Sequence, residues 1–342
     1  MDIREKVTLQ DIADLAGISR NTVSKILNGR YKGSPKVRER VLGLVREKNY
    51  KGMGEHAGEE PEVKTILLLC REGVSAAGFF PYLVNEIQRD VEARGYILQY
   101  YGITPEELRE RRIPDVIARH QVDGIVCMEI FDKDFIKKLI RYPAAIVFLE
   151  FCHDLWSVDG RYDVVMMDCA YPVGVLVKRM IEKGCRSIGF VGDYVHCRGF
   201  YERYQGYCAA LAESGIPVDK NICITFADGG RYFNGQELWK RLKNMPCMPD
   251  GFVAANDGIA ISLMQTLQER GIRIPEDVKI VSFDDIAEAE EVRPPLTTVH
   301  VDRKGLSRSA VDCLLQRMTD PERSRRVVYV ETEIVYRGTF RS

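Results

Sequence analysis

Residues 7–29 read VTLQDIADLAGISRNTVSKILNG, and the stretch holds two short helices with a turn between them. Thr8 is an N-cap residue, because its hydroxyl can accept from a free amide of the first turn. Leu9, Ile12, Ala13 and Ala16 follow at i, i+3, i+4 and i+7, the spacing of one buried helical face. Gly17 stops that helix, since glycine takes a positive φ without steric cost. Ser19 caps a second helix, Arg20 to Leu27, whose buried stripe is Val23, Ile26 and Leu27. Its other face presents Arg20, Asn21, Ser24 and Lys25, all hydrogen-bonding types. Small Ala13, turn Gly17 and β-branched Val23 are the grammar of a helix-turn-helix, which leaves the second helix protruding. Such a helix fits the major groove, where Arg and Asn bond guanine and adenine edges bidentately. A three-helix module that binds protein is the alternative.

Outward from this stretch, Ser34-Pro35 opens a third helix as cap and N1 proline, with Val37, Val41, Leu44 and Val45 facing inward. Residues 1–51 carry 12 Lys/Arg against 6 Asp/Glu, a balance of +6, so the remainder carries −7 to reach the chain's −1. A basic head on an acidic body points to a polyanionic partner, with a merely solvated basic face as the bland reading. The whole chain has 342 residues, 45% of them hydrophobic and 29% charged, which suits two or three globular domains and excludes wholesale disorder. No apolar run reaches membrane-spanning length, and the N-terminus lacks the order of a signal peptide. The ten cysteines are scattered, with no C-x-x-C and no paired zinc spacing, and read as reduced, buried small hydrophobes of a cytosolic protein.

Residues 7–29, followed by SPKVRERVLGLVREKNY (34–50), closely resemble the DNA-binding head of the lactose-repressor (LacI/GalR) family. The resemblance is gap-free over about fifty residues and N-terminal, as in that family. It implies that Arg20, Asn21 and Lys25 read bases. It places Thr8, Ser19, Thr22, Ser24, Asn28 and Ser34 near phosphates, through hydroxyls, amides and helix N-termini.

After Tyr50 the composition changes. KGMGEHAGEEPEV (51–63), with three glycines, a proline and four glutamates, reads as a linker. In family members that kink DNA, this segment forms a basic hinge helix that inserts a leucine into the minor groove. The corresponding position here is Glu59, which can neither wedge a base step nor offset phosphate charge. A flexible linker with little central kinking of the DNA is therefore expected.

Beyond it, strands alternate with helices. Strands are expected at 64–70, 96–101, 123–128, 144–150, 164–168, 187–192, 222–226, 251–256 and 278–285. Helices are expected at 81–94, 105–120, 132–141, 170–183, 198–214, 234–243 and 258–270. Short apolar strands between helices imply parallel sheets covered on both faces, in two α/β lobes, with ligand at the carboxyl ends of the strands. A strand is also expected at 327–337, after a helix at 303–318.

MMDCAYPVG (166–174), RYQGY (203–207), AANDGIA (254–260), SFDD (282–285) and PPLTTV (294–299) extend the resemblance over nearly the whole chain, with Ser282 standing where the family usually has glycine. The resemblance implies an all-α helix-turn-helix head (1–50), the linker 51–63, and an α/β two-lobed body (64–342) of periplasmic-binding-protein type, built from two parallel-sheet, Rossmann-like lobes. Its first lobe is expected at about 64–161 and 298–325, its second at 162–297 and 326–342, with three crossovers between.

Polyhydroxyl ligands need a few buried donors and acceptors at strand ends and aromatic rings against their apolar faces. Arg203 can donate bidentately, and Asp168, Asn256 and Asp284 fall at the ends of expected strands. The family resemblance makes these four the effector contacts, and Phe200, one turn before Arg203, can line the same wall. For Phe79 and Phe80 core packing and cleft lining are both open, whereas Trp239 reads as core. No P-loop, G-x-S-x-G or H-E-x-x-H occurs, and the five histidines form no ligand-like pair, so neither catalysis, a cofactor nor a metal is expected. The reading is a cytoplasmic homodimeric regulator, a repressor in the first instance, that binds near-palindromic operator DNA and answers to a small carbohydrate-like effector. A cytosolic solute-binding or sensory module without DNA function is the alternative.

Overall fold

The computed structural model describes residues 7–27, 31, 33–48, 50, 64–73, 78–154, 159–227 and 231–341. Asn28 and the linker 51–63, with Glu59, lie outside them. The chain divides into two compact units, 1–63 and 64–342.

The first unit holds α1 (Leu9–Ala16), α2 (Arg20–Leu27) and α3 (Pro35–Glu47). The Thr8 hydroxyl accepts from the Asp11 amide at 3.3 Å while the Asp11 carboxylate accepts from the Thr8 amide at 2.7 Å, a reciprocal capping box. Gly17 ends α1 at φ 65°, where a Cβ would be strained. The Ser19 hydroxyl accepts from the Thr22 amide at 3.1 Å and starts α2. At α3 only half of the expected start is present: Pro35 occupies the first turn, but the Ser34 side chain makes no capping bond. Ile12, Ala13, Ala16, Val23, Ile26, Leu27, Val41 and Val45 form one buried cluster. Those apolar spacings therefore bury one face of each helix and leave the polar face of α2 outside.

The second unit begins with β1 (Thr65–Arg71), α4 (Phe79–Ala93), β2 (Ile97–Ile103), α5 (Pro105–Glu110), α6 (Asp115–Ala118), β3 (Gly124–Met128), α7 (Lys133–Leu139), β4 (Ala145–Leu149) and β5 (Tyr162–Met167). It continues through α8 (Ala170–Glu182), β6 (Ile188–Val191), α9 (Arg198–Glu213), α10 (Gly235–Leu242), β7 (Gly251–Ala254), α11 (Asp257–Gln268), β8 (Lys279–Val281) and α12 (Glu288–Glu291). β9 (Thr298–Val301), α13 (Arg303–Thr319), β10 (Val327–Val330) and β11 (Thr332–Val335) complete it. One parallel sheet runs β10-β5-β4-β3-β1-β2 and another β6-β7-β8, while β9 and β11 pair antiparallel. β3 and β5 are buried at every position, as strands of a sheet covered on both faces must be.

Four expectations need correction. The helix read over 105–120 is two short ones, because Arg111 turns left-handed at φ 52° and Pro114 disfavours a helical residue before it. The strand read at 222–226 is a single bridge, Ile224 to Val191, following a short 3-10 turn. The strand read over 327–337 divides between two sheets, β10 joining β5 and β11 joining β9. The lobe boundaries move with it: 162–167 and 327–330, expected in the second lobe, pair within the first sheet. The crossovers accordingly fall after β5, between β9 and α13, and between β10 and β11.

Candidate functional site

On the head, Arg20, Asn21 and Lys25 are exposed along α2, while Thr22 and Ser24 are half-buried beside them. Asn21 and Lys25, one turn apart, lie on the side of α2 away from Val23, Ile26 and Leu27, and Arg20 is exposed at the first position of the helix. Thr8 and Ser19, expected near phosphates, are spent locally as caps, and their helix N-termini still offer free amides. Ser34 is exposed at the start of α3.

In the body, a cavity of about 380 Å3 lies between the two lobes at the carboxyl ends of their strands. From the first lobe come Arg71, Phe79, Phe80, Glu129 and Glu150, and from the second His196, Phe200, Arg203, Asn256 and Asp284. Arg203 on α9 is 2% exposed. Its Nη1 donates to the Ala255 carbonyl at 2.6 Å, and its Nη2 lies 3.4 Å from Asp284 Oδ1. The guanidinium sits 3.7 Å from the Phe283 ring centroid and 5.2 Å from that of Phe200, and its buried Nε makes no hydrogen bond. A buried donor without an acceptor is costly, and a ligand oxygen that reached it would relieve that cost.

RYQGY explains how this arginine reaches the cavity. At Gly206, three residues on and on the same flank of α9, a Cβ would come 2.2 Å from the Ala170 carbonyl oxygen, so glycine lets α8 and α9 close together. Asn256 caps α11 by accepting from the Ile259 amide at 2.9 Å and still lines the cavity. Asp284 and Asp285 take φ 118° and 52°, a bend that turns Asp284 toward Arg203 and gives Asp285 to His300 at 2.8 Å and Arg337 at 2.8 Å.

Asp168 departs from expectation. It does not line the cavity; its carboxylate accepts from the Tyr171 amide at 3.4 Å at the start of α8, and its carbonyl accepts from the Thr332 hydroxyl. Phe79 and Phe80 both line the cavity, and Phe79 is also buried in the core, so the two readings are compatible. Trp239 is partly buried against the core beneath Arg270.

The sequence reading missed Glu129 and Glu150. Each directly follows a buried strand, β3 and β4, at a left-handed φ of 58° or 69° that bends the side chain into the cavity. The strand-end rule applied to the second lobe would have found both. Glu150 Oε1 accepts from the Phe151 and Gly199 amides at 3.1 Å each. The Glu129 carboxylate stands 3.8 Å from Arg71 and 3.9 Å from His196. Burial pushes the Glu129 carboxyl up to about 7, with Glu150 and Asp284 adding to the rise against Arg71. Burial likewise raises Glu150 to about 7 and Asp284 to about 6, each held back by Arg203. The cavity thus combines aromatic walls with more carboxylates than cations.

One group of metal-ligating types, Cys152, His153 and Asp154, has its ligand atoms within 4.8 Å of one another among the described residues. Asp154 is already taken by Lys133 and by the Cys152 thiol. All ten cysteines are free. No helix of the described residues is long and apolar enough to cross a membrane.

Comparison with known proteins adds to this geometry. The model of bacterial regulatory proteins, lacI family, matches residues 8–52, and that of the periplasmic binding protein-like domain matches 177–340. The chain is 28% identical to the HTH-type transcriptional repressor PurR of Vibrio atlanticus, across 98% of this chain and 99% of the relative. It is 29% identical to the ribose operon repressor of Haemophilus influenzae, again across 98% and 99%. Among solved structures, a lac repressor dimer bound to operator has a TM-score of 0.73 at 20% identity, covering 99% of this chain and 100% of that one. A complex of the transcriptional regulator CelR with cellobiose has a TM-score of 0.71 at 24% identity, covering 98% and 100%. At such identities these structures speak for the fold.

Proposed function

The chain belongs to the lacI family of bacterial regulatory proteins, and from that premise we propose how its two units work as a repressor. The head binds operator DNA, and a small molecule in the cleft of the body controls that binding. The observation that carries the reading is the exposed Arg20–Asn21–Lys25 face of α2, standing on a well-filled three-helix core. Arg and Asn on a protruding helix read guanine and adenine edges, and Lys25 adds a further donor. One such head covers one half-site, so a homodimer on a near-palindromic operator supplies the specific affinity. This places the protein with the DNA in the bacterial cytoplasm.

The cleft is the effector site. Arg203, Asp284 and Asn256 supply oriented polar groups in one wall, and Phe79, Phe80 and Phe200 cover apolar faces, an arrangement suited to a sugar or sugar derivative. A ligand that binds one arrangement of the lobes better than the other shifts their equilibrium, and linkage transmits that difference to operator affinity. The role is regulatory and not catalytic, and a turnover assay on the effector would expose any chemistry.

The test is a selection of operator sequences from random DNA, followed by salt-dependent mobility shifts with and without a panel of sugars. Arg203→Lys keeps the charge but loses the planar fork to Ala255 and Asp284, so it should retain operator binding and lose the response. A wild-type response in that variant would misplace the effector site. Failure to select any sequence would return the protein to the class of solute-binding modules.

A further inference from the structure

Three carboxylates line the cleft, Glu129 and Glu150 from the first lobe and Asp284 from the second. Two full cations answer them, and among the described residues neither hydrogen-bonds Glu129 or Glu150. Arg203 is committed to the Ala255 carbonyl and Asp284, and Arg71 is half exposed, with Nη2 3.8 Å from Glu129, beyond hydrogen-bond reach. Among the described residues Glu129 makes no hydrogen bond at all, although its side chain is 12% exposed. Glu150 uses Oε1 twice and leaves Oε2 with only the Cys197 thiol at 3.9 Å. Around these acids stand Phe79, Phe80, Phe200 and Phe233, whose ring faces attract cations. Among the described residues that line the cleft, the one buried side-chain donor without an acceptor is Arg203 Nε, which a ligand oxygen would satisfy.

We propose that the effector of this cleft is a polyhydroxylated amine, in the manner of an amino sugar, bound through its ammonium by Glu129 and Glu150 and through a hydroxyl by Arg203. The inference rests on the cleft being the effector site. A phosphorylated or acidic sugar would set like charges against three carboxylates in a low-dielectric pocket, and a neutral sugar would bring no counter-charge to Glu129 and Glu150. An ammonium between Glu129 and Glu150 offsets both. It also favours their ionised forms, so binding releases protons. The groups facing Glu129 and Glu150, besides each other, are Arg71 from β1, His196, Cys197, Glu202 and Arg203 from the α9 side and Asp284 after β8, with Arg303 of α13 acting on Asp284. Glucosamine, galactosamine and mannosamine, their neutral parents and the 6-phosphates of those parents make the discriminating set of probes.

Calorimetry on the full-length chain should show at least one amino member binding about tenfold or more tightly than its parent, the equivalent of one pKa unit of differential interaction. Its affinity should rise between about pH 6 and pH 7, as Glu129 and Glu150 ionise, and heats in two buffers should report proton release. Glu129→Gln keeps the shape and removes the charge, and should reduce the preference for amine over parent. A parent or phosphate that binds as tightly as its amino counterpart overturns the proposal, and so does a set in which no amino member binds. Operator selection on the same preparation separates the two failures: DNA binding without an amine preference sinks the ligand class alone, and loss of DNA binding sinks the regulatory reading.

Discussion

Arg317 on α13 grips Asp163 on β5 with a two-pronged ion pair, Nη2 to Oδ1 at 2.7 Å and Nε to Oδ2 at 3.0 Å. Both side chains are fully buried, and 153 residues of chain separate them in sequence. The pair fastens the returning helix to the sheet that the chain left after β5. Burial alone would raise the Asp163 carboxyl, but Arg317, the Arg326 amide and Arg323 together hold it below the usual range.

Asp163→Asn should therefore destabilise the body by roughly 3–5 kcal/mol, because two arginines are left buried without their counter-charge. Thermal unfolding of the full chain measures this as a fall in the body's transition. A midpoint within a degree or so of wild type would show that the pair contributes little. The sign with pH follows from the lowered pKa: this stabilisation is present above the unfolded carboxyl value of 3.8 and is lost as pH falls through the folded one.

Gly206→Ala places a Cβ 2.2 Å from the Ala170 carbonyl oxygen and 2.9 Å from its carbon, both backbone atoms that cannot swing away. Helices α8 and α9 must separate, at a cost of about 1–3 kcal/mol, and Arg203 shifts with α9. Gly174→Ala, across the same contact, meets only the Gly206 carbonyl at 3.6 Å and serves as the control. Equal unfolding midpoints for the two variants would refute the close-approach account.

The acids of the cleft give the opposite pH dependence. Glu129 and Glu150 carry pKa values raised to about 7, and the buried Asp257 is also raised to about 7, by burial first and by nearby Asp284 second. A raised carboxyl binds more protons folded than unfolded, so stability falls as pH rises from the unfolded value through about 7 and then levels off. For Glu129 the loss is on the order of 1–3 kcal/mol. Glu129→Gln should accordingly raise the unliganded body's midpoint at about pH 8 and leave it near wild type at about pH 5. A shift of equal size at both values would mean that Glu129 does not change its charge between them and that its pKa is not raised to about 7.

Replacing Arg20 and Asn21 together with alanine should change which operator is selected, at about 1–3 kcal/mol per lost bidentate contact. Salt-sensitive, non-specific binding should persist, since the other basic residues of the head still meet phosphate. Selection from random DNA decides it: an unchanged consensus would mean that other residues read the bases.

Sequence by itself determined what rests on signals a few residues apart. The Thr8 cap, the Gly17 stop and the i, i+3, i+4, i+7 spacings set the head and its polar α2 face, since each acts within one or two helical turns. Apolar runs such as TILLL and GIVCM marked buried strands, and alternation with helices marked parallel sheets. The break before α6 is equally local, since Pro114 disfavours a helical residue before it. Tertiary structure alone decided which neighbour each strand took. An apolar strand such as 162–167 carries no label for its sheet, and its partners at 146–149 and 327–330 are chosen by packing across long sequence distances. It also decided which strand-end acids enter the cavity. Glu129 and Glu150 bend in at left-handed φ, while Asp168 stays with α8, because the direction of a side chain after a strand depends on a backbone bend that the surrounding lobe imposes.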